Sequence, residues 1–331
     1  MPTVAIAGGA SPFLGRSIVT GILTLAPHWK ITILTRISSS IPAWLAPVLE
    51  SGRAKLCRVD YADHSSLVSA LHGTHTVISA IGFSTSDESW FSTELALLKA
   101  AIGTGVKRFA PSEYGIGVLA TPQIDAFIGS VRIWEACEEA AATEGLEWTR
   151  YECGLFMNYL GFGVPSHGPG KTELREEALG GREKDGEWIY YTGACRAELP
   201  VKADGTFPRI TLTAIEDVGK FIAKSLDLPS GSWETTSYMV GETLRMNEVV
   251  QIAEKVMGKK WEVETSSFEE LEGRIESEVD AEKKLWAQME LCYARDVEGE
   301  GWLDARLNRL FPDVSPLTVE GYLRKYYGAP A

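Results

Sequence analysis

The sequence has little of three things: long apolar runs, positive charge and regularly spaced cysteine. No apolar run approaches the roughly 18 residues that a membrane-spanning helix needs. The first strand-like run begins at the third residue, so we expect no secretory leader. Lysine and arginine total 32 against 45 aspartates and glutamates, a formal net charge of −13. Because such an acidic surface repels nucleic-acid phosphates and anionic lipid, we expect neither a nucleic-acid nor a membrane partner.

The five cysteines and five histidines are scattered without the spacing of a metal site or a disulfide framework. We therefore predict no metal, and thiols that act mostly as small buried apolar groups in a reducing cytoplasm. The Gly-x-Ser-x-Gly elbow of serine hydrolases and a Walker loop are also missing. The 331 residues, 45% of them apolar, suit one large or two smaller globular domains.

The first 110 residues alternate between strand-like and helix-like stretches. Strands are predicted at residues 3–7, 30–35, 54–59, 76–80 and 108–110, and helices at 15–25, 65–71 and 90–103. This alternation predicts an α/β fold with a Rossmann-type doubly wound parallel sheet. Residues 161–204, rich in glycine, charge and aromatics, predict irregular loops and a hairpin that could cover a substrate cleft.

A glycine-rich turn follows the first strand, in the stretch "TVAIAGGASPFLGRSIV". Strand, glycine turn and helix in this order predict a site for a dinucleotide pyrophosphate. The spacing from Gly9 to Gly15 places Pro12 where such loops usually have their middle glycine. Since proline lacks an N–H group, one hydrogen-bond donor is lost and the loop must be rearranged.

The ends of the next strands predict which dinucleotide binds. The second strand ends in Arg36 with no acid until Glu50, and an arginine there favours the 2′-phosphate of NADPH over NAD. The alternative is a solvated arginine. After the third strand Asp60 and Tyr61 could contact an adenine, and after the fourth come small residues that could lie beside the cofactor: Ala80, Ile81 and Gly82.

The sequence resembles the NmrA-like, isoflavone reductase-like family of atypical short-chain dehydrogenases, and most of all its fungal members. The resemblance rests on these stretches together with "GVKRFAPSEYG", "EGLEWTRYECGLFMNYL" and "TAIEDVGKFIA". The resemblance implies an NADPH-binding domain, predicted at 1–155 with residues of about 206–260 packing back on it. It also implies a smaller, mainly C-terminal substrate-binding region, predicted at 156–331.

The resemblance also implies roles for individual residues. Those that would contact the pyrophosphate are Gly9, Ser11, Phe13, Leu14 and Gly15, beside Pro12. Arg36 would bind the 2′-phosphate, and residues 80–82 would line the ribose. The nicotinamide would lie near Pro111, Ser112 and Glu113, in a pocket closed by Cys153, Gly154, Leu155 and Phe156.

The residues for proton transfer depart from the family pattern. The Tyr-x-x-x-Lys pair of short-chain dehydrogenases is absent, and no lysine occurs between Lys107 and Lys171, where reductases of the family have a catalytic lysine. The remaining candidates are Glu113, Tyr114 and Arg132, although Glu113 and Tyr114 suit a buried structural turn equally well. Arginine stays protonated, so Arg132 could clamp a ribose or an oxyanion but not shuttle protons.

From these observations we expect one of two functions. The first is an NADPH-dependent oxidoreductase acting on a small, aromatic or polycyclic natural product of secondary metabolism, or a variant that keeps NADPH bound while it directs a cyclisation or isomerisation. The second is a non-catalytic regulator that senses the redox state of a dinucleotide. For either we expect a monomer or a homodimer.

Overall fold

The computed structural model describes residues 1–82, 88–166, 170–184 and 186–328. The strands within these residues are β1 (Thr3–Ala7), β2 (Lys30–Arg36), β3 (Ala54–Val59), β4 (Thr76–Ser79), β5 (Arg108–Ala110), β6 (Glu147–Trp148), β7 (Arg150–Glu152), β8 (Leu155–Phe156), β9 (Tyr190–Tyr191), β10 (Arg196–Pro200), β11 (Arg209–Thr213), β12 (Thr236–Tyr238), β13 (Glu242–Arg245) and β14 (Glu262–Ser266).

The helices are α1 (Leu14–Leu25), α2 (Ala46–Glu50), α3 (His64–Leu71), α4 (Ser89–Gly103), α5 (Ile128–Glu144), α6 (Lys171–Leu179), α7 (Ile215–Ser225), α8 (Met246–Met257), α9 (Phe268–Ser277), α10 (Ala281–Arg295), α11 (Arg306–Leu310) and α12 (Val319–Tyr327). None of them, in the part of the chain that is described, is long and apolar enough to cross a membrane.

The chain separates into two compact units. The first comprises Met1–Tyr114, Ala126–Tyr151 and Val218–Ser237, and the second comprises Gly115–Asp125, Glu152–Asp217 and Tyr238–Ala331. The predicted division at residue 155, and the substrate-binding role of the second part, stay predictions.

The first unit is built on a six-stranded parallel sheet in the order β3-β2-β1-β4-β5-β6. Its central strand β1 is apolar and fully buried from Val4 to Ala7, as a parallel strand covered on both faces requires. The order reverses between β1 and β4, so the carboxyl ends of these strands open a crevice at the switch point. The predicted Rossmann-type sheet is confirmed, with strand bounds within one residue of those predicted.

The second unit contains two small sheets, in the orders β14-β10-β9 and β13-β11-β8. The antiparallel pair β9 and β10 forms the hairpin predicted within residues 161–204. The rest of that prediction is partly wrong, because α6 also lies there, between left-handed glycines at 170 and 180. The helix was not predicted because Leu174 and Ala178, which have helical spacing, lie among charged residues. Residues 167–169 and 185 of this segment lie outside the described residues.

Candidate functional site

A cavity of about 450 Å³ lies in the first unit, at the carboxyl ends of β1 to β4. Its lining residues come from the turn after β1 and from the ends of the three neighbouring strands. They are Gly8, Ala10, Ser11, Pro12, Phe13, Thr35, Arg36, Ser39, Ser40, Pro42, Tyr61, Ala80, Ile81, Gly82 and Thr93. The cavity therefore occupies the crevice at which open parallel sheets bind their ligands.

Gly8 is the residue that gives the turn after β1 its shape. Its φ is +70°, and a Cβ at this position would lie 2.6 Å from the carbonyl oxygen of Ala80. A Cβ at Gly15 would likewise lie 2.5 Å from the carbonyl oxygen of Gly8. A Cβ at Gly9 would lie 2.9 Å from the carbonyl oxygen of Ile6, so the glycine pattern predicted from Gly9 to Gly15 extends back to Gly8.

Pro12 lines the cavity and does not fill it. It lies two residues before α1, whose first residue is Leu14, so its missing N–H group costs the helix no internal hydrogen bond. The turn is closed instead by the amide of Ser11, which donates to the carbonyl of Gly8 at 2.9 Å. The hydroxyl of Ser11 accepts from the amide of Phe13 at 3.2 Å.

Arg36 is the one charged residue among the described residues that line the cavity. It is the last residue of β2 and is exposed, and Ser39 and Ser40 line the wall beside it. A cationic group with hydroxyls beside it is suited to a phosphate. In a chain of net charge −13, the positive charge of this wall is a local exception.

Of the two residues predicted at the adenine, Tyr61 lines the cavity. Its phenolic oxygen accepts from the amide of Gly8 at 3.3 Å, and burial raises its pKa, with the negative charge of Glu94 adding to this and Arg36 opposing it. Asp60 is not part of the cavity lining. Its carboxylate accepts from the amide of Ala62 at 3.0 Å, which shapes the turn before α3.

The predicted nicotinamide residues form a turn at 111–114 that is bonded to the end of β4. The hydroxyl of Ser112 donates to the carbonyl of Ile81 at 2.9 Å, and the phenol of Tyr114 donates to the carbonyl of Ser79 at 2.7 Å. These bonds place Ser112 next to the cavity residues 80–82. For Tyr114 they favour the structural interpretation, since its O–H group is already engaged in a hydrogen bond to a backbone carbonyl.

Two buried carboxyl groups are associated with this turn, Glu94 on α4 and Glu113 within the turn itself. Glu94 on α4 is fully buried and accepts from the hydroxyl of Ser79 at 2.5 Å. Burial raises its pKa to about 7, which hydrogen bonds from Ser79 and from the amide of Ser112 only partly offset. Glu113 is 5% exposed, and with Glu94 it adds to the effect of burial in raising the pKa of Cys137.

Arg132, the basic candidate on α5, is engaged elsewhere. Its terminal nitrogen lies 2.9 Å from a carboxylate oxygen of Glu88, and its guanidinium lies 3.8 Å from the ring centre of Phe91. Arg132 is not among the described residues lining the cavity.

The four residues predicted to close the nicotinamide pocket, 153–156, belong to the second unit and are buried there. The amides of Cys153 and Gly154 both donate to the carbonyl of Gly115, and Leu155 pairs with Leu212. A Cβ at Gly154, whose φ is +72°, would lie 2.3 Å from the carbonyl oxygen of Thr211. Their contact with a nicotinamide stays a prediction.

Several cavity residues were not predicted from the sequence, among them Gly8, Ser39, Ser40, Pro42 and Thr93. The serines follow Arg36 in "TRISSS", a run of hydroxyls that could have marked a phosphate site. No pattern in the sequence marks Thr93, because it lies on α4 and not in the residues that directly follow β4. No group of three or more potential metal ligands occurs among the residues that are described.

The sequence and the structure were compared with those of known proteins. The sequence profile of the NmrA-like family matches residues 2–178. Oxidoreductase BOA1 of Botryotinia fuckeliana (strain B05.10) is 33% identical over 270 residues, which cover 79% of this chain and 78% of that protein. Phenylcoumaran benzylic ether reductase PT1 of Pinus taeda is 26% identical over 331 residues, 96% of each.

A solved structure, that of AtPrR2 with NADP+ and (+)pinoresinol, has a TM-score of 0.71 to this chain at 23% identity, and the alignment covers 98% of each chain. This likeness shows that the two proteins share a fold.

Proposed function

The chain belongs to the NmrA-like family, and we propose that it is an NADPH-dependent oxidoreductase of the atypical short-chain dehydrogenase type. Its substrate is a small aromatic or polycyclic molecule of secondary metabolism. The observation that carries the proposal is the cavity at the switch point, whose one charged lining residue, within the described chain, is Arg36. The names of the relatives support it, since they include an oxidoreductase and a reductase of an aromatic benzylic ether.

The cavity fits NADPH by three features of this chain. The close packing at Gly8 and Gly15 lets a pyrophosphate approach the backbone at the beginning of α1. Arg36 offers a cation for a 2′-phosphate. Residues 80–82 give a wall that is apolar apart from its backbone. In this arrangement the first unit binds and orients the cofactor.

A calorimetric titration with NADPH, NADP+ and NADH tests this assignment. Arg36→Ala should weaken NADPH binding by about 1.5–3 kcal/mol, because it removes a charged hydrogen-bond donor, and should leave NADH binding unchanged. Lys30→Ala, an exposed cation at the other end of the same strand, is the matched control. If none of the three dinucleotides binds the wild-type protein, the proposal is wrong.

Bound NADPH would supply a hydride to a C=C, C=N or carbonyl acceptor. The chain must then provide a proton, and we propose Glu113 as its source, because it lies on the turn bonded to residues 80–82 and is shielded from water. Glu113→Gln should lower turnover at least about tenfold while changing NADPH affinity by less than about twofold. NADPH consumption with aromatic ketones, imines and quinones is the readout, and an unaltered rate removes Glu113 from the mechanism.

The absence of lysine from 108–170 and the ion pair of Arg132 with Glu88 favour two alternatives. In one, NADPH stays bound while the protein directs a cyclisation or isomerisation, so product forms without NADPH consumption. In the other, the protein is a dinucleotide-sensing regulator. A regulator should bind NADP+ at least as tightly as NADPH and should turn over none of the substrates.

A further inference from the structure

The wall of the cavity beside Arg36 is an exposed loop. Residues 37–42, which we call the serine loop, connect β2 to the short helical turn before α2 and contain Ser38, Ser39 and Ser40. Ser39, Ser40 and Pro42 line the cavity. The loop therefore supplies serine hydroxyl groups next to the cation of Arg36.

Burial of apolar side chains contributes little to holding this loop. Ile37 is 62% exposed and Ile41 is 47% exposed. Its backbone makes two hydrogen bonds near β2, from the amide of Ile37 to the carbonyl of Val59 at 3.3 Å and from the amide of Ser39 to the carbonyl of Arg36 at 3.0 Å. A loop exposed to this degree needs a further constraint to keep one conformation.

Arg58 provides such a constraint from the neighbouring strand. One terminal nitrogen of its guanidinium donates to the carbonyl of Ile37 at 2.8 Å and to the carbonyl of Ser39 at 2.7 Å. Arg58 pairs with Thr35 in the register of β2 and β3, one position before the pair of Arg36 with Val59. Its side chain thus bridges two carbonyls of the serine loop directly beside Arg36, without lining the cavity itself.

We propose that Arg58 is a positioning residue that holds the serine loop in the conformation that binds a 2′-phosphate, and that it thereby sets the preference for NADPH over NADH. The inference rests on the proposed NADPH-dependent function. A ligand that must order a loop loses affinity to the cost of ordering it, and a loop that is already held avoids that cost. The guanidinium suits this role because its planar donors can serve two acceptors in fixed geometry.

The test measures the affinities of Arg58→Ala for NADPH and NADH by calorimetry. Because only NADPH carries the 2′-phosphate, we expect its affinity to fall about tenfold and that of NADH to change less than about twofold. Arg53→Ala is the matched control, since Arg53 precedes the same strand and donates to the carbonyl of Leu23 on α1, away from the cavity. That variant should leave the ratio of the two affinities unchanged.

Two further measurements separate positioning from simple charge attraction. A long-range charge effect is screened by salt, whereas loss of loop order persists, so the tenfold loss should remain at high ionic strength. Amide hydrogen exchange of residues 37–42 should become faster in ligand-free Arg58→Ala. Arg58→Lys keeps the charge without the planar fork and should lie between the wild type and Arg58→Ala; it also serves if Arg58→Ala does not fold.

Equal losses for NADPH and NADH in Arg58→Ala, or a loss that disappears at high salt, would overturn the role of Arg58. An unchanged ratio in Arg58→Ala, with Arg36→Ala losing the NADPH preference, overturns this inference and leaves the proposed function intact. A wild-type protein with no preference for NADPH overturns the proposed cofactor, and the role of Arg58 with it.

Discussion

The two sides of the cavity differ in whether their polar groups are exposed to the cavity or hydrogen-bonded within the protein. On the side of β2 and β3, Arg36 and Ser40 are exposed and line the cavity. On the side of β4 and β5, Ser79 and Glu94 are buried, and Tyr114 is bonded back to β4. The first side offers its charge and hydroxyls to a ligand, whereas the second uses its polar groups to hold its own turn.

This difference separates recognition from reaction. A charged ligand group can be bound by exposed cations and hydroxyls, as on the first side. A proton for catalysis must come from a group that is shielded and also able to release it, and on the second side the O–H group of Tyr114 is engaged in a hydrogen bond to the carbonyl of Ser79. Glu113 is therefore the residue on which the enzymatic proposal depends most, and the following changes test how separate the two sides are.

The largest effect is expected at Gly8, where the two sides meet. Its amide bonds Tyr61 on one side, and a Cβ would lie 2.6 Å from the carbonyl oxygen of Ala80 on the other. Gly8→Ala should therefore lower the free energy of unfolding by about 3–4 kcal/mol, through backbone strain and a steric clash. NADPH affinity should fall by at least about a hundredfold. Denaturant unfolding and calorimetry measure the two effects.

Gly73 provides the control for this substitution. Its φ is +75°, close to the +70° of Gly8, but no atom would lie within 4 Å of a Cβ at this position. Gly73→Ala should show only the cost of a left-handed alanine, about 1 kcal/mol, with no change in NADPH affinity. Equal destabilisation by the two alanines would mean that the close approach of Gly8 to Ala80 does not add to the cost.

The next effect concerns the buried carboxyl group of the second side. Glu94 has a pKa of about 7 in the folded protein against an ordinary value of 4.5. The folded protein keeps this proton while the unfolded chain releases it, so stability is present at low pH and falls as pH rises through this window. The loss is up to about 3 kcal/mol. Since glutamine cannot ionise, Glu94→Gln should remove this fall and become the more stable protein at neutral pH and above.

Chemical denaturation at a series of pH values measures this difference. Glu50→Gln, at an exposed position on α2, serves as the control and should follow the wild-type profile. If Glu94→Gln and the wild type stay parallel from pH 4 to 8, the carboxyl group of Glu94 is not held protonated by burial.

Local patterns in the sequence were enough to predict the sheet and the position of Arg36 at the end of β2, because an apolar β-prone run and the residue that ends it are adjacent in the chain. The pattern did not mark Gly8, since the need for glycine there comes from contact with Ala80, which directly follows β4. In the sequence Glu94 is an ordinary polar residue of α4, and only the folded structure buries it against Ser79, the last residue of β4. Arg58 likewise looks solvated until its register beside Thr35 places it on the serine loop.

The smallest effect distinguishes the two interpretations of Tyr114. If its phenol only ties the 111–114 turn to Ser79, Tyr114→Phe loses one hydrogen bond and about 1 kcal/mol of stability, with turnover nearly unchanged. A proton donor would instead lose at least about a hundredfold in turnover at similar stability. We expect the first result, because the O–H group of Tyr114 is engaged in a hydrogen bond of 2.7 Å to a backbone carbonyl. Thermal unfolding and NADPH consumption, measured on the same preparation, distinguish the two. Ser112→Ala, which removes the parallel bond to Ile81, should give a loss of similar size if the two bonds act together to hold the turn.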